Sequence, residues 1–136
     1  MGIYRRDLVV LNLNDSELLE RLRRSIHCER MVQSQFLAYL AEVETRRLYA
    51  VEGYSSLFRF VVEALGYSES SALKRIQIAR KARSLPILYR FIEEGRISLT
   101  ALSKLCPYLN NTNVDGLLLE VEGKSVSEVE YVIAKH

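Results

Sequence analysis

Apolar side chains recur at helical spacing along most of the chain, and the alternation typical of strands is weak outside Leu8–Leu13. Two prolines, Pro86 and Pro107, and six glycines interrupt this pattern at only a few points. Sustained periodicity near 3.6 residues with sparse breakers is typical of amphipathic helices. The sequence therefore predicts an all-α fold: a compact, multi-helix single domain over 1–136, with about seven or eight helices.

The first half of the chain predicts two helices, about 15–27 and 30–50. Asn14 and Glu17 form a capping-box pattern at the start of the first helix. The apolar stripe of that helix comprises Leu19, Leu22 and Ile26. A second stripe begins about a quarter-turn away, which predicts a break near His27–Arg30. Its members are Val32, Phe36, Tyr39, Leu40 and Val43.

Capping residues and glycines divide the second half into shorter helices. Ser55 or Ser56 begins a helix that ends near Leu65, and Ser68 begins a helix over 69–84. Pro86 begins a short helix that ends at Gly95, and Ser98 caps another that ends at Pro107. Thr112 and Ser125 are the predicted N-caps of the last two helices.

Composition narrows the classes of function. No apolar run approaches the roughly 20 residues that cross a bilayer, and the N-terminus does not resemble a signal peptide, so we expect a cytoplasmic protein that does not bind membranes. Residue 6 is Arg6, which departs from the myristoylation pattern. Cys28 and Cys106 are far apart, and His27 and His136 complete no metal-ligand spacing. We expect reduced thiols, no metal, no cofactor and no small-molecule substrate.

Positive charge is concentrated in the middle of the chain. The formal net charge is only +2, but residues 51–106 hold 9 basic and 5 acidic residues, whereas residues 107–136 hold 2 and 5. Between Ser70 and Arg90 there are six basic residues and no acidic one. A basic helix after a tight turn in a small domain is a candidate for binding duplex DNA.

Residues of about 55–84 predict a helix-turn-helix-like unit with its turn at Gly66. A helical projection of the second helix directs Ala72, Ile76 and Ala79 inward, and places Ile78 toward one flank. We expect its N-terminal serines to hold a phosphate, and the longer polar side chains to contact base edges or phosphates. The expected DNA-binding residues are Ser70 and Ser71 (phosphate), Lys74 and Gln77 (base edges), and Arg75 and Lys81 (phosphates).

Three arginines of the same predicted helix do not follow the helix-turn-helix pattern or have no clear role in DNA contact. Arg75 stands where helix-turn-helix motifs usually carry an apolar residue. Arg83 projects inward, which favours a structural ion pair over contact with DNA, and Arg80 could serve in either way.

The segment from about Leu18 to Leu109 resembles the N-terminal helical region of bacterial HNH endonuclease-like proteins. The resemblance is carried by AEVETRRLY, by GYSSLF at Gly53–Phe58, by Arg75-Ile76 and by GRISLTALSKL, and the tail GKSVSEVEYVIA also fits. It implies a bacterial parent nuclease of which this chain is the N-terminal part. A more distant similarity, carried by Gly66-Tyr67-Ser68, Leu85-Pro86 and Gly95–Ser98, is to the helix-turn-helix region of ParB-type partition proteins.

The chain departs from the nuclease pattern at the catalytic site. An HNH site needs one histidine as general base and one as metal ligand, whereas His27 lies in a predicted helix and His136 is the last residue. The resemblance thus implies DNA recognition without cleavage, and we expect no enzyme activity from this chain. A cluster of carboxylates could suggest a catalytic site, and the candidates are Glu42, Glu44 and Glu52. They do not alter this expectation, because Glu42 and Arg46 have the spacing of an ordinary helical ion pair.

A module for protein interaction or homodimerisation is the alternative function. Helices of about 15–27 and 30–50 could pair with a second copy, and the acidic tail could dock on a basic helix. Four tyrosines, Tyr4, Tyr39, Tyr49 and Tyr54, add aromatic surface for such a contact.

Overall fold

Helix α1 (Asp15–Thr45) is the longest element in the structure, a computed structural model that describes residues 9–136. The side-chain oxygen of Asn14 accepts a hydrogen bond of 2.9 Å from the Glu17 backbone N–H, as the capping pattern predicts. The chain leaves α1 through Arg47, which adopts a left-handed conformation (φ 54°), and then forms the single turn α2 (Leu48–Val51). The expectations for Arg6 and Tyr4 lie outside the described residues.

The predicted break near His27–Arg30 is wrong, and so is the predicted end at residue 50. The helix is continuous from Asp15 to Thr45. Leu19 and Leu37 are separated by five turns at about 3.6 residues per turn, as are Leu22 and Leu40, so the two apolar segments lie on one face and are separated on it by Arg30 and Gln33. The predicted second stripe is correct at Leu40, which is buried, and at Phe36 and Val43, which pack against the core. Val32 and Tyr39 stay exposed, whereas the core receives Ser34, Leu37, Leu40 and Ala41.

The remaining elements are short helices. Helix α3 (Leu57–Arg59) continues into a π-helical turn, Phe60–Ala64, and is followed by α4 (Glu69–Ser84) and α5 (Ile87–Glu93). Helix α6 (Leu99–Leu105) ends in a 3₁₀ turn, Cys106–Tyr108, and α7 (Val114–Val121) and α8 (Val126–Lys135) complete the order. Residues 9–136 contain no strand, so the predicted all-α fold is confirmed.

Most predicted N-caps are confirmed. Ser56, Ser68, Ser98 and Ser125 each accept a hydrogen bond from the backbone N–H three residues later. The prediction of Thr112 is wrong by one position. The side chain of Asn110 accepts from the backbone N–H groups of Thr112 and Asn113, at 2.8 and 2.9 Å, so Thr112 still belongs to the turn and α7 starts after Asn113.

Helix α4 lies at the centre of the fold and contacts α1, α3, α5 and α6. The predicted inward residues Ala72, Ile76 and Ala79 are buried. Ile78 and Ala82 are also completely buried, so the prediction that Ile78 lies toward a flank is wrong. The reason is that α1 and α6 both pack on α4, which leaves only one face of it exposed.

Candidate nucleic-acid interface

The turn before α4 is built by local interactions. Gly66 adopts a left-handed conformation (φ 80°), which costs glycine little, and Ser68 caps the helix. Tyr67 is half-buried, with its ring centroid 5.6 Å from that of Phe36 on α1. These contacts fix the start of α4 against α1 and thereby set which face of α4 meets solvent.

Two predicted site residues, Lys74 and Lys81, lie half-buried along the edge where α4 meets α6. The Lys74 ammonium donates to the Thr100 hydroxyl at 2.7 Å, and the Lys81 ammonium donates to the Leu109 carbonyl oxygen at 3.0 Å. Both acceptors are neutral, and neither lysine forms an ion pair within residues 9–136. Each ammonium has three N–H donors and uses one in these hydrogen bonds, so both have spare donors for an outside anion.

A third lysine belongs to the same edge and was missed by the sequence analysis. Lys104 is exposed and follows Thr100 by about one helical turn on α6, so the two side chains share a face of that helix. A signal for it was present, because residues 95–114 contain no acidic residue. We call the exposed edge between α4 and α6 the basic groove. It comprises Ser70, Lys74, Gln77, Lys81 and Lys104.

A shallow cleft of about 320 Å³ lies at one end of the basic groove. Gln77 is exposed at its rim, next to Lys81, and the 3₁₀ turn closes the far side. The cleft is lined by Gln77, Arg80, Lys81, Ser84, Cys106 and Pro107. Its polar wall therefore comes from α4 and carries positive charge.

Ser71 and Arg75 lie on the other flank of α4 and do not join the basic groove. The Arg75 guanidinium stacks 4.9 Å from the ring centroid of Tyr67, and it donates to the carbonyl oxygen of Ser71 at 3.3 Å and to the Ser71 hydroxyl. These contacts explain a polar residue at a position expected to be apolar. The side chain of Arg75 lies over Tyr67, and its charged end binds locally.

Two further arginines of α4 hold it against α1. Arg80 forms a bidentate ion pair with Glu44, with N–O distances of 2.6 and 2.9 Å, and this bonding raises the pKa of Arg80 above its usual value. Arg83 donates to the Ala41 carbonyl oxygen at 3.3 Å, so its structural contact is with the backbone instead of the expected carboxylate. The charge of Arg80 is therefore already compensated.

Other reactive groups show ordinary structural roles. Burial raises the pKa of the Cys106 thiol to about 12, although Lys81 opposes this, so the thiol is protonated at neutral pH. Glu42 and Arg46 form the predicted ion pair at 2.8 Å, and this hydrogen bond lowers the pKa of Glu42. Within residues 9–136, no cluster of three or more histidine, cysteine or acidic side chains has the arrangement of a metal site. In the same range, no helix combines the length and apolarity needed to span a bilayer.

No family model, no curated protein and no solved structure matches the chain. The resemblance to the helical region of HNH endonuclease-like proteins therefore stays a prediction drawn from the motifs themselves.

Proposed function

We propose that this chain binds duplex DNA through the basic groove. The observation that carries the proposal is the state of Lys74 and Lys81, which are held half-buried by neutral acceptors and have no carboxylate partner in the described residues. An ammonium that is fixed in place and uncompensated is suited to a phosphate, because little side-chain entropy remains to be lost on binding.

The groups along the groove suit a phosphate backbone with limited groove contact. Lys74, Lys81 and Lys104 supply positive charge, and Ser70 lies near the N-terminus of α4, where a helix favours an anion. Gln77 is exposed between the lysines and offers an amide for base edges. In this proposal Ser71 and Arg75 stabilise the turn and do not contact DNA. The resemblance to an HNH endonuclease-like protein points to the same class of ligand.

The test is a fluorescence-anisotropy titration of a mixed-sequence duplex with the full chain at about 50 and 200 mM salt. Each neutralised phosphate contributes about −0.9 to the slope of log K against log salt, so three lysines predict a slope of about −2.7. Lys74→Gln with Lys81→Gln should reduce this slope in magnitude by about 2 and weaken binding regardless of sequence.

The matched control removes the same charge elsewhere. Lys124→Gln with Lys135→Gln changes two lysines that lie just before α8 and in its last turn, and it should leave affinity and slope nearly unchanged. An equal loss of DNA affinity in both double variants would show that overall charge, not the basic groove, drives binding. Absence of binding by the unmodified chain at low salt would remove the proposal altogether.

A further inference from the structure

The first half of α1 projects from the domain. Every residue from Asn14 to Val32 is exposed, whereas burial in the core begins at Ser34. The guanidinium of Arg30 lies against Gly95, just beyond the end of α5. At about 1.5 Å per residue, the exposed part of the helix extends roughly 25 Å away from the packed core.

This exposed half carries an apolar stripe on the same face of the helix as the buried residues, and Arg30 and Gln33 separate the two on that face. Leu19 and Leu22 lie directly in line with the buried Leu37 and Leu40, at a separation of about five turns. Leu19, Leu22 and Ile26 are 48%, 57% and 40% exposed. The face that packs on the core in the second half of α1 thus runs on beyond the core, and no element within residues 9–136 covers it there.

The charges beside this apolar stripe favour a second copy of the same helix, in antiparallel orientation, as the partner. Residues 15–20 hold three acidic residues (Asp15, Glu17, Glu20) and no basic one, and residues 21–24 hold three arginines (Arg21, Arg23, Arg24) and no acidic one. A second copy in antiparallel orientation brings the acidic segment of each helix beside the basic segment of the other. A parallel copy brings like charges together, which disfavours that arrangement.

We propose that the exposed half of α1 forms a two-fold, antiparallel homodimer. The antiparallel alignment that sets the acidic segment beside the basic segment places Leu19 beside Leu22 of the second copy. In the same alignment, Asp15 lies beside Ile26 of the second copy. The surface is separate from the basic groove, so this proposal stands or falls independently of DNA binding.

Sedimentation equilibrium of the full chain tests the association. The unmodified chain should be dimeric at about 100 µM, and Leu22→Lys should weaken self-association at least about 30-fold. Leu119→Lys is the matched control, because Leu119 is 64% exposed on α7. Since neither leucine is buried, both variants should keep the thermal unfolding midpoint of the unmodified chain when all three are compared at a concentration low enough for monomers. A monomeric unmodified chain, or a dimer that survives Leu22→Lys, would overturn the proposal.

Disulfide formation tests the orientation, in a Cys28→Ser background. Chains with Asp15→Cys and chains with Ile26→Cys, mixed and oxidised, should form a cross-linked heterodimer in high yield, while neither alone should cross-link efficiently. Efficient cross-linking of each variant with itself would indicate a parallel pair and would overturn the antiparallel arrangement.

Discussion

The positive charges on α4 differ in whether they are compensated, and this depends on the hydrogen-bond acceptor that the fold provides. Lys74 and Lys81 donate to neutral oxygens, whereas Arg80 is paired with Glu44 across the α1–α4 contact. The side chain of Arg80 lies beside Gln77 and Lys81 at the cleft of the basic groove. Glu44 therefore limits the positive potential of that surface.

Glu44→Gln should strengthen DNA binding, because it releases the Arg80 guanidinium for a phosphate. We expect about a 3- to 10-fold gain in affinity at low salt and a slope steeper by about 1. The lost ion pair, which is more than half exposed on the Arg80 side, should cost about 0.5–1 kcal/mol of stability. Anisotropy titration and urea unfolding measure the two effects.

Glu42→Gln is the control for that change. Glu42 is also on α1 and is paired with Arg46, which has no place in the basic groove. The same charge is removed from the same helix, so an equal gain in DNA affinity for both variants would assign the effect to net charge and not to Arg80.

The two thiols should differ in reactivity. Cys106 is buried with a pKa raised to about 12, and Cys28 is exposed on α1. At pH 8 a thiol reagent should modify one thiol quickly in the folded chain and both after denaturation. The folded chain favours the neutral form of the Cys106 thiol. Its contribution to the free energy of unfolding is therefore complete below the usual pKa of 9.0 and declines as the pH rises toward about 12. Rapid reaction of both thiols at pH 8 would contradict this.

At the scale of elements, the turn before α4 depends on the backbone freedom of one glycine. Gly66 has φ 80°, and no atom lies within 4 Å of the point that a Cβ would occupy, so Gly66→Ala should cost about 1 kcal/mol through backbone strain alone. Gly116 lies within α7 with equal space around it, and Gly116→Ala should stabilise the chain by up to about 1 kcal/mol. Thermal unfolding should show changes in stability of opposite sign for the two variants. Destabilisation by both would indicate that the added methyl group clashes with its surroundings, and that backbone strain at Gly66 is not the cause.

Element boundaries that depend on local chemistry were predictable from sequence. Ser68, Ser98 and Ser125 cap helices through contacts with residues only three positions away, so their signal is contained in a few residues. The continuity of α1 was missed because its buried face is decided by α4 and α5, not by the helix itself. Ile78 was misplaced for the same reason, because α6 covers a flank that a single-helix projection leaves open.

The candidate site was only partly predictable, again for reasons of distance along the chain. The charge of the basic helix is visible in the sequence, and its inward face was correct at Ala72, Ile76 and Ala79. The partners that distinguish one cation from another come from remote segments: Thr100 for Lys74, Leu109 for Lys81. Helical periodicity contains no information on such contacts.

At the scale of the whole molecule, residues 9–136 form a packed set of short helices and a long helix of which only the second half belongs to the core. The core residues form one continuous cluster from Leu37 to Val132. The exposed half of α1 has no such support within the described residues, and helices in proteins owe most of their stability to the packing of an amphipathic face. Its persistence as an ordered helix in solution should therefore depend on association.

Hydrogen exchange should reveal this dependence. In dilute chain, amides of residues 18–28 should exchange far faster than those around Ile76 and Ile78 in α4, because local opening of the exposed half costs little. At concentrations that favour the dimer, protection of residues 18–28 should rise while that of α4 stays constant. Leu22→Lys should remove the concentration dependence, and Leu119→Lys should retain it. Protection of residues 18–28 that is equal at low and high concentration would show that the helix is stabilised within a single chain, and self-association would then have no part in ordering it.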